Sequence, residues 1–540
     1  MTSSRAALKV GLVELYADSV AHRVQIKFPS RSIDLLAAIL GQNGFSRVET
    51  YNPIYDGTRG RVTRSDVERL ASYDAVGFSA ISSTQNLSYD LAAKLRKLNP
   101  RIKIVFGGYH TTCLPEETLD HADIAVLNEG DRTIVDVMDR IAEHKERPVL
   151  ADVPGIVFRD EDGAIRHTAH RPLLTVEELE ALPVPALPAR VRGKMNCGKV
   201  VLARGCPFQC SFCTISDHFG RRVRAVSVER SVEIIERSIT QFPGLHLFAD
   251  DNFALNPERA KRILERILEK GLKMPSWSAQ VRVDAAFDDD LLKLLRRAGC
   301  RKVFVGLESM NDESLKLLNK RSTLEKNDRA IRRFHEAGLM IHGHFMFGTD
   351  ADSVDTVRTT AEYVRKMGLD TAYFLFMSPG PGSPLAQRYQ AENKLITRNW
   401  ARYDGNSVCV YPDQVRPSEL KKAVDQAYLH FYSPLEALRY LFRPRKKLTT
   451  LLLRTVGYPV MRYLIRRDRP YVADLERLER WVMDFEAAFG KVKEDPGVPP
   501  AAREEFFRAW SDRARALAPD FQEFCRRKID LAAAGPKDQP

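Results

Sequence analysis

Three of the chain's eight cysteines fall within eight positions: Cys206, Cys210 and Cys213 in the segment ARGCPFQCSFC, spaced C-x3-C-x2-C. Soft thiolate donors select iron–sulfur clusters or zinc. Three thiolates on one short loop can hold three irons of a cubane and leave the fourth open to an exogenous ligand. Zinc asks instead for four protein ligands, commonly in C-x2-C pairs. Cys197 and His218 are the nearest recruits for a zinc site, and neither lies at a usual spacing. Eight cysteines in 540 residues are too sparse for a disulfide scaffold, so the clustered trio points to metal or redox chemistry.

Further polar residues sit at the ends of apolar runs. Asp250 and Asp251 lie in FADDNF, Gln280 and Arg282 in the run 277–282, and Glu308 in GLES. His342 and His344 lie in the run 340–347. Each has an ordinary structural alternative: the aspartates cap a following helix, Glu308 closes a salt bridge, and the histidines are satisfied strand residues. Their joint placement is what ties them to the cysteines.

The elements that must position these residues follow from hydrophobic periodicity. Val200–Arg204, Leu245–Ala249, Trp277–Arg282, Val303–Leu307, Met340–Phe347 and Ala372–Met377 read as strands. Helical patterns at 228–241, 256–270, 288–298, 323–337 and 352–367 separate them. Six such β/α units make a partial barrel, whose chemistry sits on the loops after the strand C-termini. Upstream, strands at Leu8–Leu15, Val48–Tyr51, Ala75–Ile81, Lys103–Phe106 and Ile124–Leu127 alternate with helices near 31–43, 65–73, 86–98 and 131–144. That rhythm predicts a doubly wound parallel sheet, which binds ligands beyond the carboxyl ends of its strands. The Ser-rich stretch Ser79 to Thr84, with Ser82 and Ser83, and the pair Gly107–Gly108 occupy that edge. The expected class is therefore α/β: a doubly wound domain over 1–150, a hairpin and Pro-rich linker over 151–190 (LPVPALP), a partial (β/α)6 barrel over 191–412, and a mostly helical region over 413–540.

The C-x3-C-x-(aromatic)-C loop, with Phe212 in the aromatic position, resembles the radical S-adenosylmethionine (SAM) superfamily over roughly residues 195–410. The domain before it carries Gly107–Gly108–Tyr109–His110, Leu114–Pro115–Glu116–Glu117 and Asn128–Glu129–Gly130, and resembles the cobalamin-binding subclass of methyltransferases and anaerobic cyclases. The resemblance implies that Cys206, Cys210 and Cys213 hold a 4Fe-4S cluster. It places Phe212, Asp250, Asp251, Gln280, Arg282 and Glu308 around SAM, and Ser82, Ser83, Gly107 and Gly108 around cobalamin. It further implies reductive cleavage of SAM to a 5′-deoxyadenosyl radical and methylation of an unactivated carbon of a small molecule. A flavodoxin or ferredoxin would donate the electron. One departure stands out: the pattern D-x-H-x-x-G that supplies a histidine to cobalt is absent, since Asp18 and His22 are spaced D-x3-H with no glycine following. A bound cobalamin is then expected without an axial histidine from this loop. Three alternatives remain open: oxidative cyclisation or rearrangement with cobalamin in a non-methylating role, a non-catalytic cluster-binding scaffold or sensor, and a flavodoxin-like domain that has lost its cofactor.

The net charge of +12 is local: ten basic residues and one acid between Arg439 and Arg469 carry nine of the twelve charges. No RNA-binding module accompanies them, so nucleic acid is not expected as a partner. Residues 448–465, LTTLLLRTVGYPVMRYLI, are apolar apart from Arg454 and Arg462, with Leu448, Leu451, Leu452, Val456, Val460 and Leu464 on one face and Pro459 expected to kink any helix. Two readings follow. Segment 439–469 either contacts an anionic membrane peripherally, in keeping with a lipid or polycyclic substrate, or packs on the barrel with a solvated Arg face. No uncharged apolar run reaches the ~18–20 residues of a membrane span, and the N-terminus shows no secretory signal. The expectation is a cytoplasmic protein. A hydrophobic fraction of 44% and a mean hydropathy of −0.31 exclude disorder and a polytopic membrane protein.

Overall fold

A computed structural model describes residues 2–16, 29–30, 32–53, 61–187, 189–193, 195, 197–442, 448–494 and 498–534. Asp18, His22, Pro188, Arg443, Arg445, Lys446 and Lys447 lie outside the described residues. The chain divides into two compact units, Met1–Val305 with Arg329–Ile341 and Gly380–Ser383, and Gly306–Asp328 with His342–Pro379 and Pro384–Pro540.

The first unit opens with a sheet of β1 (Lys9–Val13), β2 (Arg47–Tyr51), β3 (Ala75–Ser79), β4 (Lys103–Gly107), β5 (Ile124–Val126), β6 (Ile156–Arg159) and β7 (Ile165–His167), in the order β2-β1-β3-β4-β5-β6-β7. The first five strands are parallel. Near-continuous apolar runs suit strands covered on both faces. On one face Phe78 and Phe106 stack at 4.6 Å with Tyr89 beside them. On the other, Val10, Leu12 and Val105 pack against Ile33, Leu40 and Met138.

Two expectations need correction here. The helix after β3 is Ser82–Leu98, so it starts inside the stretch expected to be a Ser-rich loop. The Ile81 N–H donates to Thr84 Oγ1 (3.3 Å), which satisfies an orphan donor and lets the helix begin that early. The hairpin assigned to the linker instead extends the sheet: β6 pairs antiparallel with β5 in the register Ile124↔Phe158. Burial of Ile156 and Val157 draws it there, and the short edge of β5 is covered.

Farther along the first unit come β8 (Cys197–Val200), β9 (Ala203–Arg204), β10 (Arg224–Ala225), β11 (Leu245–Phe248), β12 (Trp277–Val281) and the start of β13 (Cys300–Glu308). β8, β11, β12 and β13 pair in parallel in that order. The single strand expected over 200–204 is broken, because Asp250 Oδ1 accepts the N–H groups of Leu202 (2.6 Å) and Ala203 (3.0 Å). The chain is thereby turned out of the sheet into β9, which pairs antiparallel with β10. Helices between the strands carry their own stop and start signals. Helix Asp289–Arg297, for example, is capped by Asp288 on the Leu291 N–H, buries Leu291, Leu292, Leu294 and Leu295, and ends in Arg296 and Arg297.

In the second unit, the part of β14 (Met340–Phe347) from His342 on pairs in parallel with β15 (Thr371–Phe376) in the register His342↔Thr371 to Phe347↔Phe376. Buried Asp352 accepts from the N–H groups of Gly348 and Thr349, both at 2.9 Å, and from Ser314 Oγ (2.7 Å). Six helices complete this unit: Pro417–Phe431, Pro434–Leu441, Leu448–Arg467, Arg469–Glu494, Pro500–Arg515 and Pro519–Ala534. The helix Leu448–Arg467 runs through Pro459, and its inward residues are Thr450 and Arg454, while Leu452 and Val456 of the expected packing face are exposed. The fold class otherwise stands as expected: α/β with parallel sheets, then helices.

Trp277 anchors the second set of strands. It is 2% exposed, stacks on Phe248 at 4.3 Å and donates its indole N–H to the Ala298 carbonyl (2.7 Å). Trp277→Ala is expected to cost about 3–5 kcal/mol. Trp277→Phe, which keeps the stack and leaves the Ala298 carbonyl without its donor, should cost about 1–3 kcal/mol. Urea unfolding followed by near-UV circular dichroism measures both.

Candidate functional site

The cysteines follow β9 on a loop that Gly205 makes possible. Its φ is +91°, and a Cβ there would stand 2.6 Å from the Arg222 carbonyl oxygen. The Cys206 N–H donates to the Gly220 carbonyl (3.2 Å) and the Cys213 N–H to the Cys210 carbonyl (3.0 Å). Main chain thus pins both ends of the trio while the three side chains stay half-buried. Burial raises the Cys206 and Cys213 thiols, the latter to about 11, and the charges of Asp251 and Cys210 push the same way. Thiols that resist deprotonation for these reasons need a strongly positive partner, and an iron cluster supplies one. The trio therefore fits a cluster in donor chemistry, one thiolate per iron. The zinc recruits are engaged elsewhere: the buried Cys197 thiol donates to the Gly198 carbonyl (3.3 Å), and His218 Nδ1 lies 3.4 Å from Thr112 Oγ1. Among the described residues, no three or more His, Cys, Asp or Glu are grouped around a single ion position.

Around this loop the structure brings two further candidates. The Arg282 guanidinium lies over the Phe208 ring at 3.8 Å, and its charge acts on the Cys206 thiol. Asp251 is exposed, and its charge reaches Cys206 and Cys213. Its neighbour Asp250 is buried and holds the backbone leading to β9. Gln280 is exposed on β12, with its carbonyl accepting from the Phe253 N–H (2.9 Å), and Phe212 is half-buried on the loop. Glu308 belongs to the second unit. It is buried, accepts from Lys320 Nζ (2.7 Å), and takes a left-handed φ of 64°, an unusual backbone for a residue with a long side chain. In that unit His344 feels the Glu308 charge, and His342 Nδ1 meets Thr371 Oγ1 at 2.7 Å.

A cavity of about 380 Å³ opens beyond the carboxyl ends of the first sheet. Ser79, Gly107, Gly108, Asn128 and Glu129 line one side of it. Arg204, Ile215 and His218, all from the segment that carries the cysteines, line another. Gly108 has φ +105°, and a Cβ there would stand 2.7 Å from the Ala80 carbonyl oxygen, so no larger residue fits. Ser82 and Ser83 stand in the first turn of their helix, Ser82 Oγ 3.2 Å from His110 Nδ1 and Ser83 buried; Ser79 to Ile81 form the wall instead. Burial pushes His218 down to about 4, so it faces the cavity as a neutral ring at pH 7.

Sequence reasoning missed what holds these two sides together. Arg204 forks onto Asp131 through two 2.8 Å hydrogen bonds and reaches Glu129 at 2.9 Å. Arg224 donates to both Glu129 oxygens (2.8 and 3.0 Å), to the Leu174 carbonyl (2.7 Å) and to the Phe219 carbonyl (2.7 Å). All four side chains are buried, with exposures of 3–8%. Burial alone would raise Glu129, but its bonds to Arg224 and the charge of Arg204 outweigh that and hold it below the usual carboxylate range. The one signal available was the Asn128–Glu129–Gly130 turn preceding a buried Asp131. Glu129→Gln should destabilise the first unit by about 3–5 kcal/mol, the cost of stranding a buried charge. A carboxylate depressed in the folded state adds stability above its unfolded value, near 4.3, and loses it as pH falls through the folded value. The loss of stability on acidification below about pH 4.3 should therefore be shallower in the variant, read by urea midpoints at successive pH values.

A model of the radical SAM superfamily matches residues 200–364, and a model of the B12-binding domain matches residues 18–138. An uncharacterized methyltransferase of Pyrococcus horikoshii is 31% identical over 393 residues, 70% of this chain and 83% of that protein. The bacteriochlorophyllide d C-8(2)-methyltransferase of Chlorobaculum tepidum is 25% identical over 387 residues, 69% of this chain and 81% of that protein. Among solved structures, the cobalamin-dependent SAM radical enzyme OxsB with aqua-cobalamin bound superposes with a TM-score of 0.62 at 18% identity, over 99% of this chain and 82% of that one, a likeness of fold. With its cysteine loop, its first sheet and this relative together, the chain belongs to the cobalamin-dependent radical SAM methyltransferase family.

Proposed function

We propose that the protein methylates an unactivated carbon of a small molecule, with Cys206, Cys210 and Cys213 as the cluster ligands and the cavity beyond the first sheet as the cobalamin site. One observation carries this reading: the segment bearing the cysteines itself forms a wall of that cavity, through Arg204, Ile215 and His218. When bound, the cluster with SAM supplies one-electron chemistry at a C–H bond, and cobalamin supplies the methyl group. The chain's own residues do the positioning. Asp251 and Arg282 place opposite charges beside the cysteine loop, suited to the amino and carboxylate groups of SAM. Gly108 keeps the strand edge low enough for a large planar ligand to approach the backbone. Neutral His218 and apolar Ile215 face the cavity beside Arg204, whose charge is paired with Asp131 and Glu129, so no imidazolium faces the cofactor at neutral pH. The substrate class in this reading is apolar, lipid or polycyclic, and the reductant is a flavodoxin or ferredoxin.

Single replacement of Cys206, Cys210 or Cys213 by Ala should remove iron–sulfur absorbance and SAM cleavage together, while Cys525→Ala leaves both intact; iron retained in any of the three overturns the ligand assignment. Gly108→Val should lower cobalamin retained on purification at least about tenfold while the cluster remains, given the clash at Ala80 and the positive φ. Label from methyl-labelled SAM in the product tests methylation itself; an unlabelled, ring-closed product would turn the reading to cyclisation.

A further inference from the structure

The two helices Pro434–Leu441 and Leu448–Arg467 of the second unit are built inside out. In the first, the buried residues are Glu436, Ala437 and Tyr440, while Leu435 and Leu438 are 56% and 52% exposed and Phe442, just after it, is 83% exposed. In the second, Arg454 is 1% exposed, donates to the Leu369 carbonyl (2.7 Å) and lies between the rings of Phe431 (4.4 Å) and Tyr440 (5.1 Å). Its outer side carries Leu452, Val456, Pro459, Tyr463 and Arg466, at spacings of four, three, four and three, which keep them in one stripe. An isolated exposed leucine needs no explanation, but a buried arginine opposite an apolar outer stripe inverts the usual amphipathic order. Eight of the eighteen large apolar side chains exposed among the described residues fall between Leu435 and Tyr463. Concentration on that scale marks a surface that something covers.

The charge says what covers it. Arg462, Arg466, Arg467 and Arg469 are exposed beside the stripe, in the stretch that carries nine of the chain's twelve net positive charges. A second copy meeting this face across a two-fold axis would bring that charge against itself. An apolar stripe ending in a tyrosine and flanked by arginines matches the boundary between acyl chains and anionic headgroups. The helix is 20 residues, about 30 Å long, and no described helix is long and apolar enough to cross a membrane. We propose that this face lies flat on an anionic lipid bilayer, with Leu452, Val456 and Tyr463 in the acyl boundary and Arg462 and Arg466 at the headgroups. The inference stands apart from the reaction assigned to the first unit.

The test is co-sedimentation of the cofactor-loaded full chain with sucrose-loaded vesicles of phosphatidylcholine alone or with about one-third phosphatidylglycerol. Binding to the anionic vesicles should exceed binding to neutral ones at least about tenfold at low salt, since each engaged arginine contributes about fivefold. Raising salt to ~0.5 M should release most of the protein but not all, because the apolar contact is not screened. Leu452→Glu with Val456→Glu should bring anionic binding to the neutral level while circular dichroism and cofactor content stay unchanged; if that pair fails to fold, Leu452→Ser with Val456→Ser carries the same expectation. Arg462→Glu with Arg466→Glu should reduce the anionic preference, and Leu98→Glu, on an exposed helix of the first unit, should change nothing. Equal binding to the two vesicle types, no binding to either, or full binding by the stripe variants overturns the proposal. So does a lipid-free dimer, seen by sedimentation velocity, that the stripe substitutions dissociate, which would assign the face to a second copy.

Discussion

Four buried charges, Glu129, Asp131, Arg204 and Arg224, tie the segment that leads into the cysteine loop to the carboxyl end of the first sheet. Taking any one of them out of water unpaired would cost several kcal/mol, so each is tolerable only while the others are in place. Glu129 accepts from both arginines and from the Leu174 N–H, which satisfies both of its oxygens. Arg204 is the residue two positions before Cys206, and Glu129 follows the last parallel strand of the first sheet. The network therefore fixes the cysteine loop against the ligand-binding edge of that sheet. Burial opposes the charge on Arg204, and Asp131 and Glu129 overcome that opposition and raise its pKa. A lysine in either arginine's place could not reproduce the forked geometry.

The same edge combines rigid backbone with walls whose Glu129 and Arg204 charges are paired with each other. Gly108 and Asn128 both take positive φ, and the Asn128 N–H is held by Thr112 Oγ1 at 2.9 Å. Such conformations persist where surrounding contacts over-determine them, which is the condition for a preorganised ligand site. His218, kept neutral by burial, sits edge-on to Tyr109 and Phe219. The charges that line the cavity at Glu129, Asp131 and Arg204 are thus held in the ionic network, and His218 adds none.

The second unit handles a buried charge differently. A carbonyl and two aromatic faces receive the Arg454 guanidinium. Cation–π contacts strengthen when desolvated, which suits a planar cation between rings. Turning the arginine inward leaves Leu452, Leu453 and Val456 on the outside, so the inward choice made at one residue decides what the surface offers.

The sequence by itself determined the class of the fold and the strand positions to within a few residues, and it singled out the cysteine trio, because continuous apolar runs and a C-x3-C-x2-C spacing are local signals that read without knowing their neighbours. Only the tertiary structure decided the rest. The strand over 200–204 breaks because Asp250, more than forty residues away in sequence, takes its N–H groups. The hairpin at 156–167 joins the first sheet because an edge three residues long needs cover. The helix face of 448–467 is inverted because Phe431, Tyr440 and the Leu369 carbonyl offer Arg454 a better place than solvent. The ionic network that seats the cysteine loop joins residues up to 95 positions apart. Hydrogen-bond and charge partners are chosen by proximity in space, and a periodicity that records only apolar and polar along the chain carries no information about which distant group will be there to meet them.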